Sequence, residues 1–83
     1  LYSAYCYATS DASELLLTVI EQQGCPEGST KRLKIRVARP GVTYRDQLSG
    51  MTVSGDALRA GLKIALTGRE HCAHLYHFVS TEA

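Results

Sequence analysis

Three histidines and a cysteine near the C-terminal end of the chain are the first residues whose types and spacing could do chemistry. His71, His74 and His77 recur every three residues with Cys72 among them, and both imidazole and thiolate bind zinc. On a helix each step of three residues shifts a side chain by about 60°, so His71 and His77 would point about 120° apart. That spread does not suit a single ion, and the sequence predicts no metal and no other cofactor.

The same histidines are candidate pH sensors, because unperturbed imidazole titrates near pH 6.5. The chain has a formal net charge of +1 with its histidines neutral. Protonating His71, His74 and His77 adds three charges to that +1 and gives about +4 below roughly pH 5.5. We therefore expect acid to change assembly or attraction to an anionic surface. The alternative is that these are incidental surface histidines.

A run of basic residues in the middle of the chain is the second notable feature. Six basic residues and no acidic one stand between positions 31 and 45: Lys31, Arg32, Lys34, Arg36, Arg39 and Arg45. Their alternation with Leu33, Ile35 and Val37 predicts a half-buried strand with one cationic face. This basic face could bind nucleic-acid phosphates, anionic lipid headgroups or an acidic protein. It lacks the interleaved aromatic residues of single-stranded RNA readers; an edge strand protected from aggregation by its charge is the alternative.

The three cysteines, Cys6, Cys25 and Cys72, leave the redox compartment open and lack zinc-ligand spacing. In a secreted protein an odd number leaves one thiol for a bond to a second chain, whereas in a cytosolic protein all three would be reduced. Cys72 and His71 do not form a nucleophile–base pair, because adjacent residues of a helix do not face each other. The sequence also lacks a GxSxG elbow, a P-loop and a dinucleotide-binding glycine motif. An enzyme is not predicted.

The elements that must position these residues begin with a strand over residues 1–9. Asp11 followed by Glu14 resembles a capping box and predicts a helix, which Gly24 and Pro26 would end. The apolar face of this helix would consist of Leu15, Leu16, Val19 and Ile20. The first third of the chain is therefore predicted to be a strand followed by a helix.

The rest of the chain is predicted to contain the basic strand over 31–39, a weaker strand over 47–53 and a final helix over 68–79. Thr67 and Glu70 form the capping box of that helix. Residues 56–66 fit a helix or a strand equally well. Together these elements predict a single domain, 1–83, of the α+β class: a two-layer α/β sandwich with two or three helices on one face of a mainly antiparallel sheet.

Two stretches resemble a known family. The first is Ser3-Ala4-Tyr5 with Thr9-Ser10, closing at Gly24-Cys25; the second is Gly68, Glu70, Cys72, His74-Leu75 and Val79. Both are similar to fungal killer toxins of the α/β-sandwich type, the group of the salt-mediated (SMK) yeast toxin and the smut viral killer toxin. The resemblance implies a split βαβ, ferredoxin-like fold and a secreted toxin cut from a precursor. It also implies that the cysteines are disulfide partners.

The leading functional hypothesis is therefore a non-enzymatic secreted toxin subunit with a second polypeptide chain as partner. Its basic face and histidines would act on the membrane or channels of a target cell. An intracellular binding module, whose basic strand contacts nucleic acid or an acidic protein, is the second hypothesis. The third is a small metal-assisted enzyme built on His71, Cys72, His74 and His77. Whether the absence of an initial Met reflects proteolysis or trimming stays open.

Overall fold

The computed structural model describes residues 2–21, 30–67 and 72–81. These residues form seven strands and one short helix. In chain order the elements are β1 (Tyr2–Ala8), β2 (Glu14–Glu21), β3 (Thr30–Leu33), β4 (Thr43–Asp46), β5 (Thr52–Ser54), α1 (Gly55–Ala60), β6 (Leu62–Ala65) and β7 (Ala73–Ser80). Within these residues no helix is long and apolar enough to cross a membrane.

The strands form two sheets, and every pairing between them is antiparallel. One sheet has five strands in the order β1-β2-β7-β4-β5, and the other consists of β3 and β6. The molecule is thus a β-sandwich, and the predicted α/β sandwich with two or three helices is wrong. The split βαβ arrangement implied by the toxin resemblance is wrong for the same reason, since the only helix in the described residues has six residues.

Strand β2 lies where the sequence predicted the first helix. Leu15, Leu17 and Val19 are at most 2% exposed, while Leu16 between them is 44% exposed. This alternation, with β-branched Thr18, Val19 and Ile20 in a row, suits a strand paired on both sides.

The predicted capping box caps a turn between strands instead of a helix. The Asp11 carboxylate accepts hydrogen bonds from the Ser13 amide (3.0 Å), the Ser13 hydroxyl (2.8 Å) and the Thr9 hydroxyl (2.9 Å). These bonds close the turn that joins β1 to β2. Aspartate makes such local bonds as readily in turns as at helix starts, and tertiary pairing decided between the two.

Strand β7 lies where the sequence predicted the final helix, of which residues 68–71 are outside the described part of the chain. β7 is the central strand of its sheet, with β2 on one side and β4 on the other. Its residues alternate, with Phe78 fully buried and Leu75 53% exposed. Hydrogen bonds to the two neighbouring strands satisfy the backbone N–H and C=O groups of β7, whereas a helix would have paired these groups within the segment itself.

The basic strand and the segment after it are shorter and more divided than predicted. β3 ends at Leu33, and a turn follows at 36–38, so Ile35 is buried while Val37 is 48% exposed instead of facing inward. Residues 47–49 form a turn, and only residues 52 and 53 of the predicted weaker strand are extended, as part of β5.

Residues 55–66 contain both of the structures that their pattern allowed. Helix α1 comes first and strand β6 follows it, with Gly61 at φ 142° between them. Ser54 caps the helix by accepting a hydrogen bond from the Ala57 amide at 3.0 Å. Gly55 packs so closely that a Cβ there would clash with the Arg39 carbonyl oxygen.

One hydrophobic core fills the space between the two sheets. Its buried members are Leu15, Leu17, Val19, Ile35, Ala38, Val42, Tyr44, Leu58, Leu62, Ile64, Leu66 and Phe78. Tyr44 anchors its centre: the fully buried hydroxyl donates to the Ala12 carbonyl at 2.7 Å and accepts from the Arg39 amide at 3.0 Å. The face of the five-stranded sheet that packs on this core is called the inner face below, and the opposite one the outer face.

Candidate functional site

A buried polar cluster lies at the end of the inner face. Glu21, the last residue of β2, is 0% exposed. Its carboxylate oxygens both accept from the Thr67 amide at 3.0 Å, and Oε2 also accepts from the Thr67 hydroxyl at 2.8 Å. Oε2 lies 2.6 Å from Nε2 of His74 on β7. Because Thr67 lies two residues after the end of β6 in the other sheet, this carboxylate joins the two layers of the sandwich.

Cys72 completes the cluster because of the register between β2 and β7. The Glu21 amide donates to the Cys72 carbonyl at 2.8 Å, and His74 lies two residues further along the chain. Alternate residues of a strand share a face, so the thiol and the imidazole point to the same side as the carboxylate. One ligand atom from each of Glu21, Cys72 and His74 lies within 4.8 Å of the other two. An oxygen, a sulfur and a nitrogen donor thus converge, which is the ligand chemistry of a transition-metal site.

An open cleft of about 590 Å³ adjoins this cluster. It is lined by Asp46, Leu48, Ser49, Met51, Leu62, Lys63, His74, Leu75 and Tyr76. The Tyr76 ring stacks on Phe78 with a centroid separation of 5.7 Å. Burial, and to a lesser extent the charge of Asp46, raises the pKa of the Tyr76 phenol. Of the three residues of the buried cluster, His74 is the one that lines this cleft. The cluster therefore meets the solvent of the cleft through His74.

Asp46 at the edge of the cleft is the second buried carboxylate, 2% exposed. It accepts from the amide of His77 at 3.0 Å, the hydroxyl of Ser49 at 2.8 Å and the amide of Leu48 at 3.2 Å. Burial by itself would raise the pKa of this carboxyl, but these hydrogen bonds outweigh it and lower the pKa. Asp46 thus fixes the turn after β4 to the neighbouring strand β7.

The structure separates the histidines that the sequence grouped. His74 faces inward, with its side chain 18% exposed. His77 is on the outer face, where its Nε2 lies 3.2 Å from the Glu14 carboxylate in a pair that is 39% and 51% exposed. The helical histidine row is wrong, since three steps along a strand reverse the face. His71 lies outside the described residues, and the predicted response to acid stays a prediction.

The predicted basic face is divided between the two sheets. Lys31 and Arg32 are on β3, Arg45 is on β4, and the other three occupy the loop between these strands. All six are exposed: Lys31, Arg32, Lys34, Arg36, Arg39 and Arg45. The prediction of a single cationic strand is therefore wrong. Within the described ranges, none of these six side chains forms an ion pair. Binding through them stays a prediction.

The predicted disulfides are wrong for the two cysteines that the structure describes. Cys6 on β1 and Cys72 before β7 are free thiols, with β2 between their strands. Cys25 lies outside the described residues. Partial burial raises the pKa of the Cys6 thiol above its ordinary value.

The outer face carries a group of exposed apolar side chains. Tyr5 and Tyr7 on β1 are 57% and 75% exposed, and Leu16 and Leu75 are 44% and 53% exposed. The register places Tyr7 opposite Leu16, and places Tyr5 and Leu75 on either side of Thr18. These four side chains, here called the outer apolar patch, lie on three adjacent strands. Contiguous apolar surface of this kind marks an interface more often than isolated exposed residues do.

Most of the residues that form these features were not predicted in these roles, namely Glu21, Thr67, Asp46, Tyr44 and the outer apolar patch. Two patterns in the sequence pointed to the buried cluster. Leu15, Leu17, Val19 and Glu21 alternate, which places the glutamate on the buried side of a strand. Cys72 and His74 are two residues apart, which places both on one face only if the segment is extended.

Comparisons with known proteins agree with this architecture. Residues 2–78 match the family model described as "Glycosyl hydrolase family 36 C-terminal domain". A solved structure described as the galactosidase domain of alpha-galactosidase-sucrose kinase, AgaSK, superposes with a TM-score of 0.82 at 22% identity. The match covers 95% of this chain and 11% of that chain, so the chain spans about a tenth of the matched protein. No curated protein matches the sequence.

These matches overturn the resemblance on which the functional hypothesis rested. The family match extends over residues 2–78, and neither comparison relates the chain to killer toxins. The killer-toxin assignment and the toxin function are wrong, and the intracellular binding module finds no support either. Of the short motifs that suggested the toxins, Ser3-Ala4-Tyr5 lies on β1, and His74-Leu75 and Val79 lie on β7. Secretion and a second polypeptide chain stay predictions.

Proposed function

The chain belongs to the glycosyl hydrolase family 36 C-terminal domain family, and from this we propose a non-catalytic role in which it packs against the rest of a glycoside hydrolase. The contact surface is the outer apolar patch: Tyr5, Tyr7, Leu16 and Leu75. The single observation that carries the proposal is that this sheet exposes large apolar side chains on the face that its own core does not use.

The arrangement of carboxylates supports the non-catalytic role. Most glycoside hydrolases use two carboxyl groups that flank the sugar bond, about 5–9.5 Å apart. Glu21 and Asp46 are buried and engaged by hydrogen bonds from Thr67 and from the turn after β4. Among exposed acidic residues, Glu14 pairs with His77 and the Asp11 carboxylate closes a turn. These carboxylates act within the fold and are not presented to a sugar.

The rest of the hydrolase is the occupant that best fits the outer apolar patch, because of the length of the matched chain and the chemistry of the patch. The matched solved chain is about nine times longer than the part that this domain covers, since the coverage of that chain is 11%. A C-terminal domain of a hydrolase therefore has a large neighbouring portion against which to pack. Two tyrosines and two leucines are suited to that contact, because tyrosine is enriched at protein interfaces.

The experiment introduces a charge into the outer apolar patch of the full-length hydrolase. Leu16→Glu is expected to lower the thermal midpoint and the hydrolytic activity together, with at least about 2 kcal/mol of interface energy lost. Leu48→Glu is the matched control, because Leu48 is 63% exposed in the turn after β4, away from the patch. It is expected to leave both quantities unchanged.

Equal effects of the two substitutions, or no effect of Leu16→Glu, would overturn the proposal. A second copy of the chain is the other possible occupant of the patch. In that case Leu16→Glu would change the oligomeric state in size-exclusion chromatography and leave the activity per subunit unchanged, which would equally refute the proposed contact.

A further inference from the structure

We propose that Glu21, Cys72 and His74 form a binding site for a divalent transition-metal ion, with zinc as the ion that their chemistry fits best. No part of the proposed packing role requires this site. It stands on the convergence of three different donor atoms at one end of the inner face.

Strand pairing supplies the geometry of the site. Glu21 and Cys72 are joined by a backbone hydrogen bond across β2 and β7, and His74 follows Cys72 on the same side of the chain. The three ligand atoms already lie within 4.8 Å of one another. Zinc bonds of about 2.0–2.3 Å in a tetrahedron bring such atoms roughly 3–4 Å apart. Side-chain movements of about 1 Å would therefore bring the three ligand atoms to the spacing that one zinc ion needs, without moving the strands.

The donor set selects the class of ion. Calcium and magnesium prefer oxygen ligands, and this cluster offers a single carboxylate. A thiolate, an imidazole and a carboxylate together suit borderline ions such as zinc. Three protein ligands leave a fourth position, and His74, which lines the cleft of about 590 Å³, gives that position access to water. The site thus has the composition of an open zinc centre.

Thr67 provides the support that metal-binding carboxylates need. Its amide and its hydroxyl hold the Glu21 carboxylate from the opposite sheet, at 3.0 and 2.8 Å. Hydrogen bonds of this kind fix the orientation of a ligand before the ion arrives. Metal binding at this point would also connect the two sheets through Glu21.

The protons and charges balance when the ion binds. The 2.6 Å contact between His74 Nε2 and Glu21 Oε2 is replaced by bonds from both atoms to the metal. The proton that lies between these two atoms leaves for solvent, the bound imidazole is neutral with its hydrogen on Nδ1, and the Cys72 thiol also releases its proton to solvent. The two negative ligands then offset the two charges of one divalent cation.

Cobalt(II) is the probe for the first test, carried out on the reduced full-length chain. One equivalent is expected to bind and to give a thiolate-to-cobalt charge-transfer band with tetrahedral visible absorption, and zinc is expected to displace it. Cys72→Ser should remove the charge-transfer band, and His74→Asn should weaken binding. Cys6→Ser and His77→Asn are the matched controls, because their side chains lie elsewhere in the sheet, and they should keep full affinity.

Thr67→Val tests the supporting hydrogen bond and is expected to weaken zinc binding roughly 10–100-fold. Alkylation of the unsubstituted chain needs no variant: zinc should slow the reaction of Cys72 and leave that of Cys6 unchanged. The proposal is overturned if cobalt fails to bind with one-to-one stoichiometry, if the band persists in Cys72→Ser, or if zinc protects both thiols equally. In each of those cases the cluster is only a hydrogen-bonded link between the sheets.

Discussion

The two faces of the five-stranded sheet are built from the same kinds of residue and have different roles. On β2, Leu17 is 2% exposed on the inner face and its neighbour Leu16 is 44% exposed on the outer face. β4 and β7 repeat this division for charged and titratable groups: Asp46 is buried beside exposed Arg45, and His74 is largely buried whereas His77 is not. Residue type therefore does not reveal the role of a side chain in this protein; its face does.

This comparison implies that inner-face residues determine whether the domain folds and that outer-face residues determine what it contacts. Neighbouring residues on one strand have the same chain environment and differ chiefly in their face. Substitutions in such pairs therefore separate the two roles directly.

The largest difference in the free energy of unfolding is expected between substitutions of two neighbouring leucines of β2, Leu16 and Leu17. Leu17→Ala should lower the free energy of unfolding of the 83-residue chain by about 2–5 kcal/mol, because it removes fully buried methyl groups and leaves a cavity. Leu16→Ala should change it by about 0.5 kcal/mol or less, as exposed positions do. Urea denaturation monitored by circular dichroism measures both. Similar losses for the two variants would show that the outer face contributes to folding after all.

A smaller difference in the free energy of unfolding, one that depends on pH, is expected between substitutions of Asp46 and Arg45 on β4. Asp46→Asn should cost about 1–3 kcal/mol at neutral pH, because one oxygen cannot accept all the hydrogen bonds that the carboxylate accepts. The pKa of folded Asp46 is lowered, so its carboxylate stabilises the fold above the unfolded-state pKa of about 4. That stabilisation is lost as the pH falls through the folded-state value.

The cost of Asp46→Asn should therefore shrink when urea denaturation is repeated in acid well below pH 4. Arg45→Gln is the matched control on the outer face. It should change stability by about 0.5 kcal/mol or less at either pH. A cost of Asp46→Asn that does not depend on pH would contradict the role assigned to the carboxylate charge.

The two faces also explain how far the sequence could predict the fold. The first strand was predicted correctly, and the strand at Lys31 starts within one residue of its predicted start. Where apolar residues occupy both faces, as Leu15, Leu16, Val19 and Ile20 do, their spacing also fits a helix, and a local capping signal favoured the wrong choice. The apolar residues of the outer face hid the two-residue period of β2.

The candidate site was less predictable, because it depends on pairing between distant segments. Cys72 and His74 were singled out, but no sequence pattern joins them to Glu21, more than fifty residues earlier. Only the register of β2 against β7 brings them together. Thr67 adds a contact from a second sheet, which no local pattern encodes. The histidine spacing that suggested one row on a helix divides the same residues between two faces of a strand.

The smallest effect is expected for the outer-face pair of His77 and Glu14. The imidazole and the carboxylate are 3.2 Å apart and substantially exposed, so water and salt screen them. A double-mutant cycle of His77→Asn and Glu14→Gln should give a coupling energy of about 0.2–1 kcal/mol. Because both groups are substantially exposed, the coupling should fall further as salt is added. A coupling above this range that salt does not reduce would mean that the outer face helps to hold the fold together, and the division of roles between the faces would then fail at β7.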